Sequence, residues 1–320
     1  MEQIMRCLSI DIGGSSIKRG LFDVVEARAI LAHPLEPVGI DSRQFLALRA
    51  QVIEIVGEAV GAYGTALTVA ISTTGAVDRS GVVLSAGHFI GYEDICWADI
   101  LRGGYPRLEK VLVVNDGKAA TWAEYCGLDV APEVFAHFVV GTGVGGGLVC
   151  FNRLVYGDDE TAGALGHMKV ALDRDVVCSC GRTGCVETVA SGPAIVRQFV
   201  EETGVLGEID FEGVVTAAAS GRLEAVRAFE IAGSWLGVAV SNIINVLNPR
   251  YITVGGGVML ASAQLAGAAG GPYLNAAIRR AKELAFEDIA EGTRINGGRY
   301  GNDGGMIGAA LLAGRQQEKW

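Results

Sequence analysis

"CLSIDIGGSSIKRGLFD", residues 7–23, is an apolar run closing on an aspartate, then a turn of glycine and serine, then a second apolar run. The first run reads as a strand ending at Asp11. Gly13, Gly14, Ser15 and Ser16 form the turn and Ile17 to Phe22 the returning strand, so the stretch is a β-hairpin. The design recurs in "FAHFVVGTGVGGGLVCFNRLVYG", residues 135–157, with Gly141, Thr142 and Gly143 at the turn and Gly145 to Gly147 behind it. Glycines let backbone N–H groups approach and cradle phosphate oxygens, and the hydroxyls of Ser15 and Thr142 add donors. A third turn, "YITVGGGVM", sets Gly255, Gly256 and Gly257 between a strand and a helical stretch, a seat for a nucleoside or its α-phosphate. A dinucleotide fingerprint needs a helix after its glycines. The residues after Gly147, "LVCFNRLVYG", are strand-like, so that reading fails. A glycine-rich hairpin turn is more often just a tight turn, but two strand–glycine–strand hairpins in two halves of one chain suggest paired phosphate clamps from two related domains facing one cleft.

Composition bounds the setting. The chain has 320 residues, half of them apolar and about a fifth charged, which suits two domains with buried cores. The 46 glycines announce many turns and close backbone approaches. "MEQIMRCLSIDIGG" has no charged segment followed by a long apolar run, so no signal peptide is expected. Two long uncharged stretches, each closed by an arginine, run from Phe135 to Arg153 and from Ala232 to Arg250. Glycines break the first and "SNIINVLNP" ends the second, so both read as buried elements rather than membrane spans. A cytoplasmic protein is expected. Its net charge of −10 offers no footprint for nucleic acid or an anionic membrane. The basic "IRRAK", 278–282, reads as a solvated helix face.

Three of the seven cysteines, Cys178, Cys180 and Cys185, crowd into "CSCGRTGC", and His167 lies eleven residues upstream of the first. An odd count and a cytosolic setting argue against a disulfide framework. Thiolates and an imidazole suit Zn²⁺, with Gly181 and Gly184 letting the chain fold back. The bland alternative is three free cysteines in a loop beside an unrelated histidine. Cys7, Cys96, Cys126 and Cys150 have no such company and read as buried small hydrophobes.

Between the clamps lies "EKVLVVNDGKAATWAEYCG". A strand from Val111 to Val114 delivers Asn115 and Asp116, and a helix follows from Gly117 to about Tyr125. Asp116 is either a proton acceptor at a strand end or a helix N-cap. Asp11 is either a turn residue or a carboxylate reaching Mg²⁺ through water.

In order, "IDIGGSSIKRGLFD", "VVNDGKAATWAEY", "VVGTGVGGGLV", "GHMKV…CSCGRTGCVETVASGPAI", "YITVGGGVM" and "GNDGGMIGAALLA" resemble the ROK family (repressors, open reading frames and kinases) over nearly the whole chain. The resemblance implies an α/β, actin-like (ribonuclease H-like) ATPase fold of two domains around a catalytic cleft. Residues 1–118 plus 306–320 would form the small domain and 119–305 the large one. It implies a kinase that moves the γ-phosphate of ATP, with Mg²⁺, to the primary hydroxyl of a hexose-like substrate. By matching position, Asp116 would be the catalytic base and Asp11 the carboxylate near Mg²⁺. Gly13, Gly14, Ser15, Thr142 and Gly143 would hold phosphates, and Gly255 and Gly256 the adenosine side. Asn115, Glu187, Gly75, His88 and His167 would contact sugar. His167, Cys178, Cys180 and Cys185 would bind zinc, which pins the loop carrying His167 and Glu187. Asp116 is expected to stay ionised until the hydroxyl proton arrives. A homodimer follows from the resemblance alone.

The departures are informative. The family pattern Gly-Glu-x-Gly-His is "GALGH" here, so Ala164 stands where a sugar-binding Glu belongs. His88 aligns with a common Asn, and Lys118 follows "NDG" where Asn is common. Intact phosphate and zinc motifs beside an altered sugar shell imply a working kinase for a modified sugar, an amino sugar or a cyclitol. The alternatives are an ordinary glucokinase and a non-catalytic sugar-sensing regulator. Family repressors carry an N-terminal helix-turn-helix domain, whereas "DIGG" here begins at residue 11, so a DNA reader is not expected.

Overall fold

The computed structural model describes residues 4–315 apart from 15, 26–27, 65, 87–88, 160, 206–207 and 266–269. The chain forms two compact units. The first is Met1–Leu128, Tyr156–Ala162 and Asp303–Trp320, and the second is Asp129–Val155 and Gly163–Asn302.

The first unit opens with an antiparallel meander of β1 (Met5–Ile12), β2 (Ser16–Val25) and β3 (Arg28–Gly39). Helix α1 (Phe45–Tyr63) carries the chain to β4 (Thr68–Thr73), which lies parallel to β1. A small antiparallel sheet of β5 (Ala76–Val77), β6 (Val82–Ser85) and β7 (Glu93–Cys96) follows, then α2 (Trp97–Gly104). Next come β8 (Lys110–Asn115), parallel to β4, and α3 (Asp116–Cys126). The main sheet runs β3-β2-β1-β4-β8. All six residues of β4 are buried, as a central strand covered on both faces requires. On one face Leu8, Ile10, Ile71 and Val113 pack on Leu48, Val52 and Val56 of α1.

The second unit repeats the plan. A hairpin of β9 (Val134–Val140) and β10 (Val144–Cys150) is extended by β11 (Arg153–Leu154). Four helices follow: α4 (Glu187–Ala190), α5 (Gly192–Thr203), α6 (Phe211–Ala219) and α7 (Leu223–Leu247). Strand β12 (Tyr251–Gly255) joins β9 in parallel, and α8 (Gly257–Gln264), α9 (Gly271–Leu284) and α10 (Glu287–Gly292) lead to β13 (Arg294–Gly297). Its sheet, β11-β10-β9-β12-β13, has the same hairpin-then-parallel order as the first. The two stretches read as buried elements are the β9–β10 hairpin and α7. By length and composition alone α7 could cross a membrane, but half of its apolar window is buried, with Phe229, Leu236, Val240 and Ile244 in the core. The "IRRAK" basic residues Arg279, Arg280 and Lys282 are exposed on α9.

The last helix, α11 (Gly304–Gly314), belongs to the first unit and covers the other face of its sheet. There Met306, Ala309 and Ala310 pack with Cys7, Phe22, Ala70 and Ala119. A Cβ at Gly308 would run into the Ala119 carbonyl, so α3 and α11 touch backbone to backbone. This contact keeps α3 whole in the first unit, and the division falls after Leu128 rather than at residue 118 inside the helix. Of the four solitary cysteines only Cys7 is buried. Cys96, Cys126 and Cys150 are half-buried, because each sits at the end of its element rather than within the core.

Candidate active site and metal centre

Three parallel strands of the first unit end side by side. Asp11 of β1 pairs in register with Ser72 of β4, and Thr73 of β4 with Asn115 of β8. The C-terminal edge of such strands is where open α/β sheets bind ligands. Ser72 is buried and donates its hydroxyl to Asp11 Oδ1 over 2.7 Å. A Cβ at Gly305 would lie 2.7 Å from the same oxygen, so only glycine lets the first turn of α11 come this close. Burial raises the affinity of Asp11 for a proton, Ser72 and Lys18 oppose that, and the charge of Asp303 adds to it.

Asn115, not Asp116, caps α3. Its Oδ1 accepts from Lys118 N at 3.0 Å. Its Nδ2 donates to the Gly75 carbonyl at 2.8 Å and to Asp116 Oδ1 at 3.0 Å. Both amide hydrogens of this expected sugar contact are therefore already engaged. Gly75 sits at φ +97°, where a Cβ would meet the Ser85 carbonyl, so its backbone can turn there only as glycine. Asp116 Oδ1 also accepts from Gly117 N at 2.7 Å. Burial first, and the charge of Asp11 second, push the Asp116 carboxyl up to about 7. Both effects favour the protonated form, against the expectation that Asp116 simply stays ionised.

Both clamp turns are self-closed. Gly13 N donates to the Ser16 carbonyl at 3.0 Å, and Gly141 N to the Gly143 carbonyl at 2.9 Å. At the second turn the amides of Thr142 and Gly143 have no partner among the described residues, and at the first the same holds for Gly14. The first turn of α5 braces the second clamp through Gly192 N and the Gly141 carbonyl, 2.8 Å. Gly255 is buried, and Gly256, at φ +92°, caps α8 with its Cα against the Val140 carbonyl. Ser15 and His88 lie outside the described residues.

His167, Cys178, Cys180 and Cys185 come together as expected, their ligand atoms all within 4.8 Å of one another. Cys178 Sγ lies 3.5 Å from His167 Nδ1, and Cys180 Sγ 3.6 Å from Cys185 Sγ. Zinc–sulfur bonds of about 2.3 Å in a tetrahedron separate sulfurs by about 3.8 Å, so the donor set fits Zn²⁺. Glu187, at the start of α4, joins this cluster to the clamp. Its Oε1 accepts from Ser179 Oγ at 2.7 Å, and its Oε2 from Val144 N at 3.1 Å. A Cβ at Gly143 would collide with that carboxylate. Ala164 is exposed, directly before the short 3₁₀ turn Leu165–His167. Ser72 and Ser179 were missed in the sequence: one is a small residue in a strand, the other lies between two cysteines, and neither has a motif of its own.

The fold is the actin-like one, and the chain belongs to the ROK family, whose model matches residues 7–316. The N-acetylmannosamine kinase of Citrobacter koseri is 32% identical over 97% of this chain and 99% of its own. A glucokinase of Halalkalibacterium halodurans is 33% identical over 65% of this chain and 64% of its own. The structure of a ROK family glucokinase from Streptomyces griseus, in complex with glucose and AMPPNP, superposes with a TM-score of 0.76 at 25% identity, covering 96% of this chain and 98% of that one.

Proposed function

We propose that this protein is an ATP-dependent kinase that phosphorylates the exocyclic CH₂OH of a hexose bearing an acylated amino group, with N-acetylmannosamine as its substrate. The observation that carries the kinase reading is Asp116, a carboxylate at a strand end whose Oδ1 is held by Asn115 and Gly117 and whose carboxyl is pushed up to about 7 by burial and by Asp11. A hydroxyl attacking phosphorus must shed its proton, and a carboxylate poised near neutrality accepts it. Asp11, braced by Ser72 and repelled by other carboxylates, suits Mg²⁺, which neutralises phosphate charge when bound. The amides of Gly14, Thr142 and Gly143, which have no partner among the described residues, would serve phosphate oxygens, and Gly255 and Gly256 would take the adenosine side.

Zinc would be held by His167, Cys178, Cys180 and Cys185 and would fix the fold of their loop. His167 turns Nδ1 to the cluster, which leaves Nε2 for a sugar hydroxyl. Glu187 retains lone pairs for the same task. The amino-sugar reading is supported by Ala164, a methyl group in place of a carboxylate, and by full-length relatives at 30–32% identity named N-acetylmannosamine kinase. The relative named glucokinase favours plain glucose as the second reading. A cytoplasmic homodimer completes the proposal, on the resemblance alone.

The test is ADP release with each of N-acetylmannosamine, N-acetylglucosamine, glucosamine, glucose and a cyclitol. Sugar-dependent ADP formation supports a kinase. Sugar binding with no ADP from any of them makes the protein a sensor instead.

A further inference from the structure

Lys169 lies against the cysteine loop at Cys185. Its backbone forms an isolated antiparallel bridge with Cys185. From that seat its ammonium donates to Cys185 Sγ and to the Thr183 carbonyl, both at 2.8 Å. Cys185 is fully buried, so solvent does little to offset charge on its sulfur. A divalent cation held by three thiolates and one neutral imidazole leaves the centre with one uncompensated negative charge.

We infer that Lys169 is the counter-charge of this centre: its ammonium neutralises the Cys185 thiolate and thereby sets how tightly the loop keeps its metal. The inference rests on the reading of the cluster as a zinc site. The chemistry has two parts. An N–H donated to a ligand thiolate is a charge-assisted bond that holds the sulfur in place for the metal. A cation at contact distance offsets the excess charge where water is scarce. The bond to Thr183, two residues before Cys185, ties the same ammonium to the loop backbone, so the charge is held in place.

The test uses zinc-loaded full-length protein and reads the rate of zinc loss to a chromogenic chelator, with circular dichroism in excess zinc to confirm folding. Three substitutions separate the causes. Lys169→Arg keeps charge and donor, Lys169→Gln keeps a neutral donor, and Lys169→Met removes both. The inference expects wild-type release from the arginine variant and about tenfold or more faster release from the other two, the usual weight of an outer-sphere partner. Release from Lys169→Gln and Lys169→Met at the wild-type rate overturns it. So does a glutamine variant that holds zinc as wild type does, since hydrogen bonding without charge would then suffice. If the methionine variant does not fold, the glutamine–arginine pair decides. Wild-type protein that binds no zinc overturns the zinc reading and this inference together, whereas bound zinc with indifferent variants sinks this inference alone.

Discussion

Asn115 donates its side-chain amide to Oδ1 of Asp116 over 3.0 Å while its own Oδ1 caps the helix that Asp116 begins. One side chain thus starts α3 and orients the Asp116 carboxylate. That hydrogen bond favours the ionised carboxylate. Asn115→Ala should therefore shift the acidic limb of the kcat/KM profile to higher pH. It should also cost about 0.5–2 kcal/mol of stability through the lost cap. A variant with the cap's stability loss but an unmoved profile would show that the amide does not tune the base.

Asp116 itself gives a signed prediction. Its carboxyl titrates at 3.8 when unperturbed and at about 7 in the fold. Between those values the folded protein keeps a proton that the unfolded chain has released, so stability falls as pH rises across that window. Asp116→Asn removes this slope. Its free energy of unfolding should gain on that of wild type by a margin that grows from about pH 4 to about pH 7, at a rate of at most about 1.4 kcal/mol for each step of one in pH. Its turnover should drop about 10²–10⁴-fold with ATP and sugar binding retained. Near-normal turnover would reduce Asp116 to a structural residue.

Ser72→Ala leaves Asp11 without its buried donor. The carboxyl should then hold its proton more strongly, and the Mg²⁺ concentration for half-maximal rate should rise with little change in the KM for sugar. Stability should fall by about 1 kcal/mol. An unchanged Mg²⁺ requirement would mean that Asp11 acts without this brace.

Cys180→Ser tests the metal centre. Cys180 is exposed, so the substitution costs little packing. Any large fall in melting temperature must come from lost metal. We expect zinc content near zero, a lower melting temperature and weaker sugar binding together. Wild-type zinc content in this variant would remove Cys180 from the ligand set.

Much of this was legible along the chain. The strand to Val114 and the helix after it are seen at Lys110–Asn115 and Asp116–Cys126, because apolar runs and turn glycines report local structure. The cysteine cluster was legible because its ligands lie close in sequence. What was hidden is relational. The pairing of Asp11 with Ser72 depends on a parallel register sixty-one residues apart, which no local pattern encodes. The helix cap lies one residue from where Asp116 would put it, since Asn and Asp are equally good caps and only geometry separates Asn115 from Asp116. Glu187 read as a sugar contact, yet it also braces the clamp through Val144, a bond between segments distant in sequence.

If the protein is the proposed kinase for an acylated amino sugar, Ala164 opens the place where a carboxylate would hold ring hydroxyls. The most direct measurement is kcat/KM of the wild-type protein for N-acetylmannosamine and for glucose, side by side, with the phosphorylated position of each product mapped by NMR. Ala164 is exposed in the free protein, so the cost arises once bound sugar excludes water there: a glucose hydroxyl then left unpaired costs about 1–3 kcal/mol, and N-acetylmannosamine should lead by roughly ten- to a hundredfold. Its phosphate should sit on the exocyclic CH₂OH, and Ala164→Glu should narrow the gap. Glucose turned over as well or better, with kcat/KM on the order of 10⁴ M⁻¹s⁻¹ or more, would contradict the account.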